Sequence, residues 1–285
     1  EFGKIKYYCR DLQKGDYTDD TILTLALAES IVEKEGLDLE DIAKKHVEAY
    51  VSRIKEDGNV RGGFGGTTQE AIQNLRIGMS PYNSGVIGAP GNAPAMKMSP
   101  IGLYMAVSRE YDKGLIFAED VGRMTHLDPR SIAGGVLQAH AVYSLINGIS
   151  RNKFVDSLVE ICEDVEKPVN PQFKLWKQGS LLQRIKWIKN NKNNDVESAF
   201  NFLGNTSVGY KSHAFALFMF QKYWDEPMKG LFDTINYGGD CDTTGAIYGA
   251  LCGAKNGMIF LKELVSEIKG IEEIIKLGEK LGGLK

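Results

Sequence analysis

Apolar residues recur along this chain at the spacing of α-helices. One apolar face runs over 22–31 and ends near Gly36, and a second runs over 39–54 after Asp38, a residue type that caps helices well. Segments in which apolar and polar residues alternate, as in strands, are absent, and so is the strand–helix rhythm of a parallel sheet. The pattern predicts an all-α protein, with further helices over about 68–77, 129–147, 153–165, 181–190, 212–223, 243–256 and 271–281.

Three stretches between the predicted helices are rich in glycine, proline, asparagine or lysine. Residues 57–66 (DGNVRGGFGG) and 80–100 (SPYNSGVIGAPGNAPAMKMSP) also carry aromatic and polar side chains, whereas 189–195 (KNNKNND) is typical of a solvated loop. Compact domains seldom keep long irregular loops without a role, so we expect the first two to contribute to function. Nothing in the sequence divides the chain, and we predict one domain over 1–285.

The charge balance excludes two classes of partner. Lysine and arginine number 34 against 37 aspartates and glutamates, which gives a formal net charge of −3. So small a net charge offers no general attraction to nucleic acid or to a membrane surface. No apolar run approaches the roughly 18–20 residues that span a bilayer. We therefore expect neither a nucleic-acid partner nor a membrane.

The cysteines and the first residues bear on the compartment. Four cysteines, at positions 9, 162, 241 and 252, are widely spaced and form no CxxC pair. They do not suggest a disulfide framework, so we predict a reducing, cytoplasmic location. The first residues, EFGKIKYYCRDLQKGDY, are aromatic and charged, unlike a signal peptide. Because the sequence begins abruptly without methionine, we expect the natural protein to extend upstream.

Two short segments concentrate oxygen ligands just before predicted helices. Thr18-Asp19-Asp20-Thr21 precedes the first, and Gly238-Gly239-Asp240-Cys241-Asp242-Thr243 precedes the helix over 243–256. Each alone is explained by helix capping, because threonine and aspartate are good N-caps and acids in a first turn favour the helix dipole. One cap needs one side chain, however, and each segment offers two carboxylates with neighbouring hydroxyls.

Taken together, the two segments suggest a metal site. Adjacent carboxylates repel one another unless a cation or solvent separates them. A ligand set of carboxylates and threonine hydroxyls, with no nearby histidine, suits Mg²⁺, Mn²⁺ or Ca²⁺ better than zinc. If the two helix starts meet in space, four carboxylates converge, which is enough for a pair of divalent ions.

The helix predicted after the second segment carries a stripe of small residues. Gly245, Gly249, Gly253 and Gly257 recur every fourth position, with alanines beside them. Each glycine inside a helix costs about 1 kcal/mol relative to alanine, so a close approach by another helix should offset the cost. We interpret this helix as the buried centre of a tightly packed bundle that holds the second acidic segment rigidly.

At these residues the sequence resembles the ADP-ribosylglycohydrolase family. The TDDT of Thr18–Thr21, followed by an apolar helix, looks like the family's first signature, and GGDCDTTGAIYGALCGA, from Gly238 to Ala254, looks like its last. Between them, Gly91–Leu103 (GNAPAMKMSPIGL) is similar to a glycine-rich loop of the family, and Thr125–Pro129 (THLDP) to its TH segment. The four motifs stand in the family's order and cover nearly the whole chain.

The resemblance implies an orthogonal multi-helix bundle with two divalent cations, Mg²⁺ or Mn²⁺, in a cleft. Carried over residue by residue, one ion would be held by Thr18, Asp19 and Asp20 and the other by Asp240 and Thr243, with Asp242 bridging both.

The resemblance also implies where the substrate lies. The loop around Gly91 and Asn92 would line the diphosphate and the distal ribose through backbone N–H groups, as glycine-rich loops do for phosphates. Phe64, Gly65 and His126 match other positions near the family's ligand. For His126 a structural hydrogen bond explains the residue equally well.

The sequence departs from the family pattern in three places. Ala93 stands where the family has glycine, with Pro94 after it removing one backbone donor, and Lys97 replaces an arginine that could bind bidentately. The family's N-terminal GDAxG segment, which carries a glutamate, is not found in this sequence. Either the natural protein is longer or the second metal has fewer ligands.

The predicted activity is hydrolysis of the glycosidic bond between ADP-ribose and an acceptor, releasing ADP-ribose through an oxocarbenium-like transition state. Asp20 or Asp240 would accept a proton from the attacking water. One rival is a metal-dependent phosphoester or pyrophosphate hydrolase, although all-α scaffolds of that kind place their acids along helices. Another is a catalytically silent, crystallin-like member of the same fold that is structural or binds ADP-ribose. The acceptor, the choice between Mg²⁺ and Mn²⁺, and the oligomeric state remain open.

Overall fold

The computed structural model describes residues 12–88, 90–167, 179–258 and 262–284. Cys9 and the aromatic and charged first residues lie outside this part of the chain. The helices are α1 Asp19–Lys34, α2 Leu39–Val51, α3 Gly66–Arg76, α4 Ala93–Lys97, α5 Ser99–Ser108, α6 Tyr111–Arg123, α7 Pro129–Ile146, α8 Arg151–Val165, α9 Leu181–Asn191, α10 Val196–Leu203, α11 Gly209–Lys222, α12 Pro227–Asn236, α13 Cys241–Asn256, α14 Lys262–Val265 and α15 Ile271–Gly282.

The prediction of an all-α fold is confirmed. Within the described ranges β-structure is limited to isolated bridges, which join Ile54 to Val60, Val86 to His126 and Gly91 to Val208. Two of these bridges tie irregular loops that were predicted to be functional to more distant segments. They therefore fix the backbone of those loops without building a sheet.

Helix α7 is the centre of the bundle. It begins after Asp128, whose carboxylate accepts a hydrogen bond from the Arg130 N–H (2.9 Å), and Pro129 occupies its first turn, where no N–H partner is needed. The helix is buried over nearly its whole length, and it packs against α4, α5, α6, α8, α11 and α13. A helix that is apolar all round is typical of such a central position.

Three groups of apolar side chains form the core. One lies between α7 and the helices α8 to α13, a second joins α1, α2, α5, α6 and α7, and a third lies beneath the start of α1. The third group includes Ile22, Tyr50, Phe64 and Met96. It supports the N-terminal end of α1 from below, and this is where the first acidic segment lies.

Several helices were not predicted. The stretch 80–100 was expected to be irregular, yet α4 lies within it and α5 begins at Ser99. Helix α5 is apolar on most sides and has a proline in its first turn, so it lacks the one-sided pattern on which the prediction relied. In α6, Gly114 and Gly122 interrupt the apolar pattern from which a helix is predicted. Glycine is needed at these positions because neighbouring residues approach the helix closely. Helices α10 and α12 are short and were also missed.

The close approach of another helix that was predicted at the glycine stripe of α13 is not found among the described residues, although α13 does pack against α1, α4, α7, α11 and α12. The buried face of this helix carries the bulky residues Ile247, Tyr248 and Leu251. No described residue lies within 4 Å of a Cβ built at Gly249 or Gly253, while at Gly245 the nearest atom belongs to Ile235 (3.4 Å). Gly249 and Gly253 therefore face away from the described core, and the large residues anchor the helix.

The described helices and cysteines bear on two further expectations, the absence of a membrane span and the absence of a disulfide framework. Of its helices, none has both the length and the apolar character needed to cross a membrane. Cys162, Cys241 and Cys252 are free thiols, in agreement with the absence of a disulfide framework among the described residues.

Candidate active site

The first acidic segment forms the N-terminal end of α1. The Asp19 N–H donates to the Gly62 carbonyl (2.7 Å), so the loop before α3 covers this helix end. Thr18 occupies the N-cap position, but its hydroxyl does not cap the helix; it donates to Asp20 Oδ2 (2.7 Å). The capping explanation therefore does not account for Thr18, whose hydroxyl instead orients a carboxylate.

The second acidic segment enters α13 through a tight turn. Gly238 and Gly239 both have positive φ angles, of 93° and 79°, which L-residues rarely adopt. Asp240 then takes the N-cap position without capping α13. Its Oδ2 accepts a hydrogen bond from Asn92 Nδ2 (2.8 Å), and the same amide donates to Ser212 Oγ (3.1 Å). Asn92 thus joins the glycine-rich loop to the second acidic segment.

We expect Gly239→Ala to damage the site far more than Gly238→Ala. A Cβ at position 239 would lie 2.2 Å from the Asn205 carbonyl oxygen, whereas at position 238 no described residue lies within 4 Å. Both substitutions carry the strain of a positive φ, about 1 kcal/mol or more, and only Gly239→Ala adds a clash with backbone. Urea unfolding of both variants without ligand measures the loss in free energy of unfolding. Equal losses in the two variants would contradict the prediction.

The two segments meet at one cavity of about 270 Å³. Of the residues selected from the sequence, it is lined by Asp19, Gly65, Gly91, Asn92, His126, Asp240, Asp242 and Thr243. Thr18, Asp20 and Phe64 stand outside this lining. Asp20 is nevertheless buried directly behind it, with its Oδ2 bonded to Thr18.

Phe64 points into the core. Its ring meets Tyr50 edge-on with centroids 5.2 Å apart, and its carbonyl accepts a hydrogen bond from Gln69 Nε2 (2.8 Å). The side chain therefore holds the loop over 57–66 against α2 and α3, while the next residue, Gly65, reaches the cavity. A ligand contact by Phe64 remains a prediction from the resemblance.

The cavity also has residues that the sequence did not single out. Hydroxyls of Thr67, Thr68 and Ser207 line it, and Ser212 holds Asn92 from behind. Serine and threonine are so common in turns and helix starts that no spacing rule separates these from the rest. They were brought to the cavity by the way that α3 and α11 pack.

Lys97 has a different place from the one its motif suggested. It was expected to replace an arginine that binds bidentately, but its side chain is fully buried and its Nζ donates to Thr125 Oγ1 (3.4 Å). Pro94 lies in the first turn of α4, where a missing N–H does not weaken the helix. Ala93 lines the cavity in place of the expected glycine.

The carboxylates form a region of concentrated negative charge. Burial first, and then the charges of Asp20 and Asp242, raise the pKa of Asp19 to about 8. Burial, followed by Asp242, raises the pKa of Asp20 to about 6, and burial also raises the pKa of Asp240 to about 6. Among the described residues, no lysine or arginine forms an ion pair with any of these four acids. The site therefore favours either protons or cations.

The donor set fits a hard divalent cation. Asp20 Oδ1 is buried and has no hydrogen-bond partner, so one carboxylate oxygen is available to a further ligand. In this conformation of the described chain, no three acidic, histidine or cysteine side chains surround a single point closely. Hard cations also accept hydroxyl and water oxygens, and Thr18 and Thr243 stand beside the carboxylates. Carboxylates and hydroxyls together thus form an all-oxygen set.

A second cavity lacks this chemistry. It has a volume of about 940 Å³ and lies between the start of α1 and the helices α14 and α15. Its walls are mostly apolar, with Ile268, Ile271, Ile274 and Ile275 among them. Binding sites for small polar ligands combine a cavity with convergent polar groups, and of these two cavities the smaller has more of them.

Comparison with known proteins agrees with the motifs. The sequence profile of the ADP-ribosylglycohydrolase family matches residues 2–285. An uncharacterized protein of Archaeoglobus fulgidus is 31% identical over 273 residues, covering 95% of this chain and 81% of that protein. The ADP-ribosylhydrolase ARH3 of Mus musculus is 26% identical over 294 aligned positions, covering 93% of this chain and 76% of that protein.

A solved structure supports the fold. It is described as an ADP-ribosylglycohydrolase-related protein complex and superimposes with a TM-score of 0.67 at 22% identity, covering 95% of this chain and 82% of that one. At such low identity the likeness concerns the arrangement of helices alone. The profile match spans nearly the whole sequence, and this chain therefore belongs to the ADP-ribosylglycohydrolase family.

Proposed function

We propose that this protein is a divalent-metal-dependent glycohydrolase that cleaves the bond between ADP-ribose and an acceptor and releases ADP-ribose. The observation that carries the proposal is the meeting of two acidic helix starts at one cavity, which also has the Gly91–Asn92 loop on its wall. The acceptor would be a protein side chain, an ADP-ribose polymer or a small conjugate. The family and the mouse relative, named an ADP-ribosylhydrolase, support this class of reaction.

The residues proposed to hold two cations, Mg²⁺ or Mn²⁺, are Thr18, Asp19, Asp20, Asp240, Asp242 and Thr243. When bound, such ions supply positive charge that orients the hydroxyl oxygens of the ribose and makes a nearby water a stronger acid. Asp20 Oδ1, buried and without a partner, is the oxygen that most needs a cation.

Asp240 is the better placed of the two candidates for the general base. It lines the cavity, whereas Asp20 lies behind it. Asn92 donates to Asp240 Oδ2, so the carboxylate is held in place at the cavity wall. A base whose pKa is raised toward neutrality, as burial raises that of Asp240, works well near pH 7.

The loop beside Asp240 is proposed to bind the ligand. Gly91, Asn92 and Gly65 bring backbone close to the cavity, and His126 adds a ring nitrogen. Backbone N–H groups in glycine-rich loops approach phosphate oxygens without hindrance from side chains. Thr67 and Ser207 add hydroxyls that suit a sugar.

Product analysis tests the proposal. Peptides ADP-ribosylated on arginine or serine, and ADP-ribose polymer, are incubated with the protein in Mg²⁺, in Mn²⁺ or in EDTA, and products are separated by liquid chromatography with mass detection. We expect intact ADP-ribose from at least one substrate, only with metal, and none from Asp242→Asn. AMP or phosphate as product would instead support a pyrophosphate or phosphoester hydrolase.

Calorimetric titration separates binding from catalysis. ADP-ribose should bind in the presence of Mg²⁺ or Mn²⁺, and binding should be lost in Asp242→Asn because that carboxylate lines the cavity. Metal-dependent binding without hydrolysis of any substrate would favour a silent, ADP-ribose-binding member of the fold. No binding with either ion would overturn the proposal.

A further inference from the structure

A buried hydrogen-bond chain leads from Lys97 to the cavity. Lys97 is fully buried at the end of α4, and its Nζ donates to Thr125 Oγ1 (3.4 Å). Burial lowers the pKa of Lys97 to about 7, the charge of Asp19 acts in the opposite direction, and within the described ranges no carboxylate lies at salt-bridge distance from Nζ. A buried lysine is costly unless it is paired, so its retention here calls for a role.

Thr125 connects Lys97 to His126 by hydrogen bonds. The Thr125 hydroxyl oxygen lies 3.1 Å from His126 Nδ1 and 3.5 Å from the Gly122 carbonyl oxygen. Lys97 donates to this oxygen, so the hydroxyl proton must go to one of those two acceptors. Of these two acceptors Nδ1 is the nearer and so the better partner, although the contact from Lys97, at 3.4 Å, is itself long for a hydrogen bond. A hydroxyl that donates to Nδ1 leaves the imidazole proton on Nε2.

The backbone around His126 fixes the position of its ring. The Leu127 N–H donates to the Val86 carbonyl (3.0 Å), and the Val86 N–H donates to the Thr125 carbonyl (3.3 Å). The ring is 3% exposed and lines the cavity. Because the ring is held by backbone on one side and by Thr125 on the other, the direction in which Nε2 points is set before any ligand arrives.

Nε2 lies directly against the glycine-rich loop. A Cβ at Gly91 would stand 2.6 Å from this nitrogen, so only glycine allows the loop to pass there. His126 is neutral at physiological pH, because burial and then the charge of Lys97 lower its pKa to about 3. A neutral ring offers either a proton or a lone pair at Nε2, and the oxygens of an ionised phosphate, which only accept hydrogen bonds, require the proton.

We propose that Lys97 and Thr125 are positioning residues that hold His126 with its proton on Nε2, so that the ring donates a hydrogen bond to an acceptor oxygen of the bound ligand. The role of the ligand oxygen rests on the proposed function, whereas the tautomer is a property of the free protein. In the opposite tautomer the Nε2 lone pair would face that oxygen and repel it. Through these hydrogen bonds, the buried Lys97 makes the cavity wall at His126 prefer a ligand atom that accepts a hydrogen bond.

The tautomer can be measured by nuclear magnetic resonance on protein labelled with ¹⁵N-histidine. The chain has four histidines, and the spectrum of His126→Gln assigns the signals of residue 126. In the wild-type protein at pH 7.5 we expect the Nε2 of His126 to show the chemical shift of a protonated nitrogen and Nδ1 that of an unprotonated one. A proton on Nδ1 in the wild-type protein would overturn the proposal.

Two variants at Thr125 form a matched pair. Thr125→Val keeps the shape but removes the hydroxyl, and Thr125→Ser keeps the hydroxyl. We expect Thr125→Val to lose the Nε2–H preference and to bind ADP-ribose with Mg²⁺ about tenfold more weakly, the usual effect of losing one hydrogen bond to a charged or strongly polar group. Thr125→Ser should restore both. If both variants keep the wild-type tautomer and affinity, Thr125 is merely structural and the proposal is wrong.

Lys97→Met tests the first link independently. Lys97→Met removes one donor and a positive charge beside Thr125 Oγ1, so this oxygen accepts from Nδ1–H more readily while its own proton turns to Gly122, and we expect a mixture of tautomers at His126. A pure Nε2–H signal in folded Lys97→Met would overturn the role of Lys97. If wild-type protein shows the expected tautomer but fails to bind ADP-ribose, the proposed function fails while the hydrogen-bond chain stands.

Discussion

Asp20→Asn should reduce the rate of ADP-ribose release by at least about 10³-fold while the protein stays folded. Loss of one fixed electrostatic group at an active site costs roughly this much. Asp20 is 3% exposed, and its Oδ1 has no partner among the described atoms, so an amide there removes a cation ligand without breaking an existing contact. The Thr18 hydroxyl can still donate to the amide oxygen. The measurement is kcat/KM on the best substrate of the product screen.

The control for this variant lies four residues upstream. Asp16 belongs to the same segment, but it is paired with Lys269 (2.6 Å) and Arg61 (3.2 Å) and is not part of the cavity lined by the other acids. Asp16→Asn should change kcat/KM by no more than about threefold, since Asp16 lies outside the cavity and ion pairs with partly exposed partners contribute little. In addition, Mn²⁺ should raise the melting temperature of Asp16→Asn and not that of Asp20→Asn. Near wild-type activity in Asp20→Asn would refute the assignment of the metal site.

The second large effect concerns pH and the stability of the metal-free protein. In EDTA, Asp19→Asn should be more stable than the wild-type protein at pH 8.5, by about 2 kcal/mol or more, which corresponds to roughly 5 °C in melting temperature. Below about pH 4 the two should be equally stable. Burial and the neighbouring charges of Asp20 and Asp242 are the cause, because they raise the pKa of Asp19 to about 8.

The sign follows from proton linkage. The pKa of Asp19 is near 3.8 in the unfolded chain and is raised in the folded protein, so between these values the folded state binds more protons. The stability that this proton provides is complete below the unfolded pKa and is lost as the pH rises through about 8. Asparagine cannot ionise, and the difference between the two proteins should therefore grow from about pH 4 to about pH 8.

Comparing the stability of the wild-type protein with that of Asp19→Asn cancels the contributions of the other titrating groups. His126, His140 and His213 are buried, and burial lowers the pKa of each, so they favour folding as the pH rises toward 6.5. Because these groups are the same in both proteins, thermal unfolding of wild type and Asp19→Asn at each pH isolates Asp19. A gap that is constant with pH would show that Asp19 has an ordinary pKa.

Divalent cations should reverse the effect in the wild-type protein. A bound cation replaces the proton, so metal affinity should rise with pH and the stabilisation by Mn²⁺ should be larger at pH 8 than at pH 6. Asp19→Asn should show a much smaller stabilisation at both values. The same carboxylates thus weaken the metal-free protein and strengthen the metal-bound one.

Local sequence was sufficient for much of the fold. The apolar period and the cap at Asp38, whose carboxylate accepts from the Asp41 N–H (3.0 Å), located α2, and similar patterns located most of the long helices. The prediction failed where apolar residues cover several faces, as in α5, and where glycines interrupt the pattern, as in α6. In both, contacts with neighbouring helices rather than local preference decide the conformation.

The acidic segments show a similar division. Their residue types could be read directly from the sequence, whereas the positive φ angles that require Gly238 and Gly239 before Asp240 are visible only in the structure. The glycine stripe of α13 was misread, because a pattern of small residues indicates that close approach is possible but not that a partner is there. Periodicity describes one helix, and its environment depends on all the others.

The sequence by itself determined which residues can serve as ligands, where most helices begin and the family to which the chain belongs. Only the tertiary structure decided that Asn92 bonds to Asp240, 148 positions away, and that Lys97 is buried beside Thr125 rather than exposed to the cavity. Hydrogen bonds of this kind depend on how α4, α11 and α13 pack. That arrangement is fixed by many weak contacts summed over the whole core, and no local pattern records their sum.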